Sequence, residues 1–456
     1  MKVKPLHRFT AIFMIIAIFY LQLLPNAFAL TDPNPRATAA ILIDKQSGYV
    51  LYEKNADEKR YPASTTKIMT ALLTLENVDD LNTLVEVTED DFIGVSYDAS
   101  KAGFMVGEKV PVIDLLYGLM LPSGNEAANT LARYVGGSVK KFVSMMNERA
   151  KELGCTGTHF VNPNGLHDDN HYSTARDLAI ITQEALKDET FSLIVNTAQK
   201  TLSETNKTPE RGGKALKVYT TNMLIYSRNL PEYYTYAKGV KTGHTSQAGY
   251  CLVATAKYKS SQLISVVLGC EKPAGATNGL SFEETKTLFR WGFNNFDTVD
   301  MVEKDESVTE VPVRLSTQQD TLVVVTKDKL SGIMPIDADM SRIEKKIDLP
   351  KSVDAPIKAG QKIGEMTVSY GGVEYGKVEL VALNDISVSN VLYYADKIEN
   401  FFQSNVFRIM ILGVILLFFG YFLFLVLRVR HQNKKRKKMM KSKQARYRDY
   451  DKHDRK

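Results

Sequence analysis

Three short strings hold the residue types that an acyl transfer needs. They are Ser64-Thr65-Thr66-Lys67, Ser123-Gly124-Asn125 and Lys241-Thr242-Gly243, in that order along 456 residues. Residues three apart on a helix share a face, so the Lys67 amine can reach the Ser64 hydroxyl. A serine needs a base to become a nucleophile, and a lysine serves only when held neutral. Desolvation and a nearby second cation both lower an amine's pKa, and Lys241 is the candidate cation. Ser123 can relay the proton to a leaving amine while Asn125 holds a substrate amide carbonyl. Lys241 and Thr242 can donate to a terminal carboxylate, and Gly243 lets a peptide backbone lie close alongside. The backbone N–H groups of Ser64 and His244 are candidates for an oxyanion hole.

Each string alone is weak. The same chain offers Ser138-Val139-Lys140-Lys141 as a second S-x-x-K and Ser227-Arg228-Asn229 as a second S-x-N. The bland reading of such a match is a helix cap beside a solvated lysine. Position separates the two. Ser64 follows Pro62 and opens an amphipathic helix, which puts its hydroxyl at the positive end of the helix dipole.

The elements that must position these residues follow from periodicity. Thr38 to Asp44 and Tyr49 to Glu53 are β-type runs around the turn Gln46-Ser47-Gly48, which predicts a hairpin. Ile68, Ala71, Leu72 and Leu75 stand at helical spacing over Ser64 to Glu76. From about 80 to 190 the pattern is mainly helical, with helices expected over Val112 to Met120, Glu126 to Val135 and Val139 to Leu153, so that Ser123 falls in a loop. Strands are expected over Gly239 to Thr242, Gly249 to Lys257 and Leu263 to Cys270, then a helix from Ser281 to Phe293. The fold class is α+β, a mixed sheet covered by helices plus a helical subdomain. Val-rich alternating runs from 299 to 386 predict a small all-β domain, and 387 to 406 a helical juxtamembrane segment.

The ends set the compartment. Lys2, Lys4 and Arg8, an apolar run from Phe9 to Leu24 and the triplet Ala27-Phe28-Ala29 read as a secretory leader over 1–29. Ile409 to Leu427 is uncharged over about 19 residues, roughly a bilayer's hydrocarbon thickness at 1.5 Å per residue, so a transmembrane helix is expected over 407–428. The tail, 429–456, is strongly basic; with Arg428 it carries 14 Lys/Arg against 3 Asp/Glu, which places it in the cytoplasm and residues 30 to about 405 outside. The net charge of +6 is therefore a property of the ends, and the exported body is acidic, so nucleic-acid binding is not expected. Cys155, Cys251 and Cys270 read as buried free thiols, with a Cys251–Cys270 bridge as the open alternative.

S-x-x-K with S-x-N and K-T-G is a signature of penicillin-binding proteins and class A β-lactamases. The longer strings YPASTTKIMTALLTLE (61–76), LPSGNEAANTLA (121–132), HFVNPNGLHDDNHYSTARDLA (159–179) and GVKTGHTSQAGYCLVATA (239–256) resemble the D-alanyl-D-alanine carboxypeptidases, the low-molecular-mass penicillin-binding proteins. The resemblance covers about residues 36 to 297, the catalytic domain being expected over 30–298. PIKAGQKIGEM at 356–366 resembles the family's C-terminal domain more loosely. It implies that Ser64 attacks the D-Ala-D-Ala bond of a peptidoglycan stem pentapeptide, that water hydrolyses the acyl-enzyme, and that β-lactams acylate the same serine. No metal or other cofactor is implied. Some members carry an arginine upstream of K-T-G that binds the terminal carboxylate. Here that stretch is Tyr219-Thr220-Thr221-Asn222, so the task is expected to fall to Thr242 and Thr245, with Arg228 a weaker substitute.

Other readings compete. A β-lactamase needs a deacylating glutamate before K-T-G, and the matching Asn162-Pro163-Asn164-Gly165-Leu166 string lacks one. A D,D-endopeptidase would use the same residues on cross-links. A β-lactam-sensing receptor would signal through the tail, which has no apolar core. His159, His167 and His171 with Asp168 and Asp169 lack the spacing of a zinc site.

Overall fold

The computed structural model describes residues 31–276 and 278–453; the leader expected over 1–29 lies outside the described residues. The chain divides into two compact units. One runs to Val299 and includes Ser331–Met340; the other comprises Asp300–Leu330 and the chain from Ser341 onward.

The first unit is built on a five-stranded sheet. Its strands are β1 (Ala39–Asp44), β2 (Val50–Lys54), β3 (Ala237–Thr245), β4 (Gly249–Tyr258) and β5 (Ser261–Cys270). The spatial order is β2-β1-β5-β4-β3. The expected hairpin is β1–β2, and the three later strands start and end within a few residues of their expected limits. The sheet is not mixed, however: every pairing in it is antiparallel. The cause is connectivity. β3, β4 and β5 follow one another through tight turns, which only antiparallel neighbours permit, and β5 returns beside β1.

Helices cover both faces. β1 is buried along its whole length; Ala39, Ile41 and Ile43 enter one core and Ala40 and Leu42 the other. A strand packed on both faces reads as an unbroken apolar run, which is why TAAILID does not alternate. One core is closed by α6 (Ser281–Asn295) through Phe282, Leu288 and Phe289. The larger one holds α1 (Lys67–Asn77), α2 (Val112–Met120), α3 (Asn125–Gly136), α4 (Val139–Glu152) and α5 (Ala175–Ala185). Each buried leucine or phenylalanine there contributes roughly 2 kcal/mol. The stretch read as mainly helical also contains a small strand pair, Leu84–Glu86 with Lys109–Pro111.

Within the second unit a six-stranded sheet forms from β6 (Ser307–Arg314), β7 (Thr321–Thr326), β8 (Ile343–Asp348), β9 (Val353–Asp354), β10 (Lys362–Tyr370) and β11 (Val373–Ala382). The order is β8-β10-β11-β7-β6-β9, with only the short β6–β9 pairing parallel. Two helices follow, α7 (Asn390–Gln403) and α8 (Asn405–His453). Among the described residues α8 is the one helix long and apolar enough to cross a membrane, and its large apolar side chains over Ile409–Leu427 are exposed except Val426. It is a candidate membrane anchor.

Candidate active site

Ser64 lies in a 3₁₀ turn, Ala63–Thr66, and the α-helix begins only at Lys67. Ser64 thus sits one tight turn ahead of the α-helix that the periodicity starts at that residue. Thr65 fixes that turn by donating both its N–H, at 3.2 Å, and its hydroxyl, at 2.7 Å, to Pro62 O. Ala63 has a φ of +48°, a strained value for a residue with a Cβ.

Lys67 is wholly buried. Its Nζ has three neighbours: Asn125 Oδ1 at 2.7 Å, Asn164 O at 2.6 Å and Ser64 Oγ at 3.2 Å. A neutral amine has two N–H donors and one lone pair. The two short contacts are to oxygens that can only accept, so they take the donors. The lone pair is left for the Ser64 hydroxyl, which can donate. The electrostatics agree: burial first, and the Lys241 charge second, push Lys67 well below the ordinary lysine value, against an opposing pull from Glu126. Lys241 is itself held down to about 7 by burial.

Ser123 stands between α2 and α3 with a φ of +67°. Its Oγ is buried and has no partner among the described residues. Asn125 opens α3, and with Oδ1 given to Lys67 its Nδ2 is left to face the cleft. Glu126, the next residue, is fully buried; its Oε1 accepts from Ala102 N at 2.6 Å and Gly103 N at 2.9 Å. It thereby ties the loop that carries Ser96, Asp98 and Ser100 along the cleft to the start of α3.

Lys241-Thr242-Gly243 lies on β3, the edge strand of the sheet, whose outer backbone groups are free to pair with an extended peptide. The glycine is a steric requirement. A Cβ at Gly243 would stand 2.9 Å from Pro62 O and 3.1 Å from Ser64 N, so β3 and the Ser64 turn are in backbone contact. Together they bring Ser64 and His244 into the lining of one cleft of about 580 Å³. Ser64, Ser123, Asn125, Thr242, Gly243, His244 and Thr245 all line it. Lys241 is buried beside this lining, with Nζ donating to Thr242 O at 3.0 Å, so its charge lies next to the cleft.

The profile of the D-alanyl-D-alanine carboxypeptidase family matches residues 26–272. The chain belongs to that family. A second profile, that of the C-terminal domain of penicillin-binding protein 5, matches residues 296–388. A D-alanyl-D-alanine carboxypeptidase of Bacillus subtilis is 32% identical over 84% of this chain and 95% of its own length. Penicillin-binding protein 5 of Haemophilus influenzae is 32% identical, with a TM-score of 0.62 over 79% of this chain and the whole of that one. A peptidoglycan synthesis regulatory factor (PBP3) of Streptococcus pneumoniae gives a TM-score of 0.67 at 25% identity, over 77% of this chain and all of that one. The protein is a serine-type D-Ala-D-Ala carboxypeptidase of the penicillin-binding class.

In this carboxypeptidase the structure brings three further residues to the site. Asn164 supplies the carbonyl that holds Lys67, and its Nδ2 donates to Asn129 Oδ1 at 3.1 Å. Gly165, with φ +81°, lies so close to the Ser64 turn that a Cβ would overlap Ala63 O. Thr221 Oγ1 is 2.5 Å from Thr242 Oγ1, so the stretch without the arginine still places a hydroxyl beside Thr242. Thr245 Oγ1 instead accepts from Ala248 N at 3.0 Å, capping the β3–β4 turn. Asn162-Pro163-Asn164-Gly165 was legible as turn chemistry; its packing against Ser64 was not.

His171 and the three cysteines are buried in the fold. His171 is buried, with Nδ1 accepting from Val161 N at 3.1 Å and Nε2 2.8 Å from Thr66 Oγ1; burial holds it down at about 4. All three cysteines are free thiols. Cys251 belongs to one core and Cys270 to the other, on opposite faces of the sheet, and so the bridge left open by the sequence does not form.

Proposed function

We propose that Ser64 is the nucleophile, Lys67 its general base and Ser123 the relay that protonates the departing D-alanine. The observation that supports this most directly is the bond set of Lys67, which leaves one lone pair for the Ser64 hydroxyl. In the acylation step Lys67 takes the Ser64 proton as Oγ attacks the D-Ala-D-Ala carbonyl. The Ser64 and His244 N–H groups carry the oxyanion, a contribution of about 3 kcal/mol per donor. The C–N bond then breaks, and the proton returns through Ser123 to the leaving amine. Water attacks the ester in a second step by the same proton path. Thr242 and Thr221 donate to the terminal carboxylate, with Lys241 supplying positive potential from behind. Asn125 Nδ2 holds the substrate amide on the acyl side, and Gly243 gives the substrate backbone its clearance along β3. A β-lactam enters the same path and stops as an acyl-Ser64 ester.

The same reading extends to the cell. Cleavage after Ala29 releases a catalytic domain over 30–298 and a β-rich domain over 299–386 outside the membrane. A single span over 407–428 then holds them there, and the basic tail stays in the cytoplasm. The substrate is the stem pentapeptide of peptidoglycan.

Full-length protein in detergent is to be incubated with fluorescent penicillin and with a peptide ending in Lys-D-Ala-D-Ala. Labelling and D-alanine release that both vanish in Ser64→Ala are expected; labelling that survives that substitution would sink the assignment. Protease added to intact cells is expected to spare the Lys434–Lys438 block, and its digestion from outside would refute the orientation.

A further inference from the structure

The catalytic cleft does not end at His244. A second cavity of about 720 Å³ opens beyond it, sharing His244, Ser246, Gln247 and Tyr250 with the first. The Tyr250 ring packs against that of His244, their centroids 4.2 Å apart, and forms the sill between the two spaces. The proposed reaction fixes which part of the substrate must cross it. With the leaving residue's carboxylate at Thr242 and Thr221 and the scissile carbonyl between Ser64 and His244, the acyl side of the peptide runs past His244. At roughly 3.3 Å per residue its next two residues lie about 5–10 Å beyond the scissile carbonyl, over this cavity.

The charges there are unequally committed. Lys59 sits over the Tyr172 ring at 4.2 Å and makes no ion pair among the described residues; neither does Lys272. Arg60 gives Nη2 to Glu58 at 2.6 Å but keeps a buried Nε without a partner among the described residues. The charge of Lys272 reaches the catalytic strand, adding to burial in holding His244 below its ordinary value. Of the two carboxylates, Asp169 is engaged by the Tyr61 hydroxyl at 3.4 Å and by His167 Nε2 at 3.4 Å. Glu271 also lines the cavity and makes no ion pair among the described residues.

We infer that this cavity is an acyl-side subsite in which Lys59, Arg60 and Lys272 select a substrate carrying a carboxylate two or three residues before the leaving D-alanine. The inference rests on the proposed role of Ser64. Two parts of a stem peptide could carry that carboxylate: the main-chain carboxyl of a γ-linked second residue, or a carboxyl at the end of the third residue's side chain.

Full-length enzyme in detergent, its active sites counted with fluorescent penicillin, is to be assayed on two peptide pairs. One pair differs in a free or amidated carboxyl on the second residue, the other in lysine or diaminopimelate as the third. At least one pair is expected to favour the carboxylate in kcat/KM by about threefold to tenfold, the range for part-exposed charge pairs, and the pair that does so identifies the source. Raising the ionic strength should shrink the preference. The double variant K59Q/K272Q should bring the ratio near one, and E271Q should raise it. Ratios near one for both pairs in the wild type, or an unchanged ratio in K59Q/K272Q, overturn the subsite and leave the role of Ser64 standing. Failure of penicillin to label Ser64 overturns that role, and this inference with it.

Discussion

The chain contains the same four-residue pattern twice, and the structure gives the two copies opposite fates. At the start of α4, Ser138 is an ordinary helix cap, its Oγ accepting from Lys141 N at 3.2 Å, and the lysine side chain is exposed. At the start of α1, Ser64 precedes the helix in a 3₁₀ turn and Lys67 is fully buried. The spacing is identical, so it decides nothing. What differs is what closes over the lysine. Asn125 from α3 and Asn164 from the 162–166 loop occupy its donors, and Lys241 from β3 adds a charge; no comparable residues cover Lys141. The pattern becomes a buried Ser–Lys contact, the proposed catalytic pair, where three distant segments converge on it.

The strongest break in this comparison is removal of the pair itself. Ser64→Ala is expected to abolish penicillin labelling, and Lys67→Ala to slow acylation by about a thousandfold or more, measured by stopped-flow with fluorescent penicillin. Lys141→Gln should leave the rate at the wild-type value. Gly165→Ala comes next. Its new Cβ would overlap Ala63 O in a backbone already at φ +81°, and neither group is a flexible side chain that can step aside. The 162–166 loop must shift, taking the Asn164 carbonyl away from Lys67. A loss of labelling rate of about a hundredfold is expected; near-normal labelling would show that Asn164 is dispensable.

These effects mark what the sequence can and cannot convey. Strand and helix positions were readable because TAAILID, the α2 run and the three later strands carry apolar periodicities that local physics imposes. Ser64, Ser123 and β3 were readable because their residue types are chemically unusual in company. Asn164, Thr221 and Glu126 were not, since an asparagine in a turn or a threonine in a loop is common and joins the candidate site only through contacts more than 20 residues distant in the chain. The antiparallel sense of the sheet was missed for a related reason. Strand limits follow from local pattern, whereas the return of β5 to β1 is a long-range fact.

Titration sharpens the comparison further. Acylation should rise with pH as Lys67, held well below the ordinary lysine value, loses its proton. It should fall again as Lys241 loses its charge at about 7. In Lys241→Met the falling limb should vanish and the rising limb should move to higher pH, because the cation that lowers Lys67 is gone. Stability should respond too. Between about 7 and the ordinary value of 10.5, Lys241 is protonated in the unfolded chain but neutral in the folded one. The unfolded state then binds more protons, so stability rises with pH across that window. Lys241→Met should therefore be more stable than wild type, most of all below pH 7, as read by urea denaturation at several pH values. A variant whose stability gain does not shrink towards pH 10 would contradict this burial argument.

The smallest effects are expected at the second copy, and they test whether it is only structural. Ser138→Ala removes one cap bond at the start of α4 and should cost about 1 kcal/mol, seen as a small shift in denaturation midpoint. Gly137, which ends α3 at φ +73°, has nothing within 4 Å of where a Cβ would stand. Gly137→Ala should therefore cost only the left-handed backbone strain, about 1 kcal/mol, in contrast to Gly165→Ala, where the same backbone region meets a wall. Both variants should label with penicillin at the wild-type rate. If either slows labelling more than about tenfold, a difference of about 1.4 kcal/mol in the barrier, then the start of α4 feeds into the site through the neighbouring 162–166 loop. The two copies would then be coupled, and the contrast between a proposed catalytic pair and a bare cap would have to be redrawn.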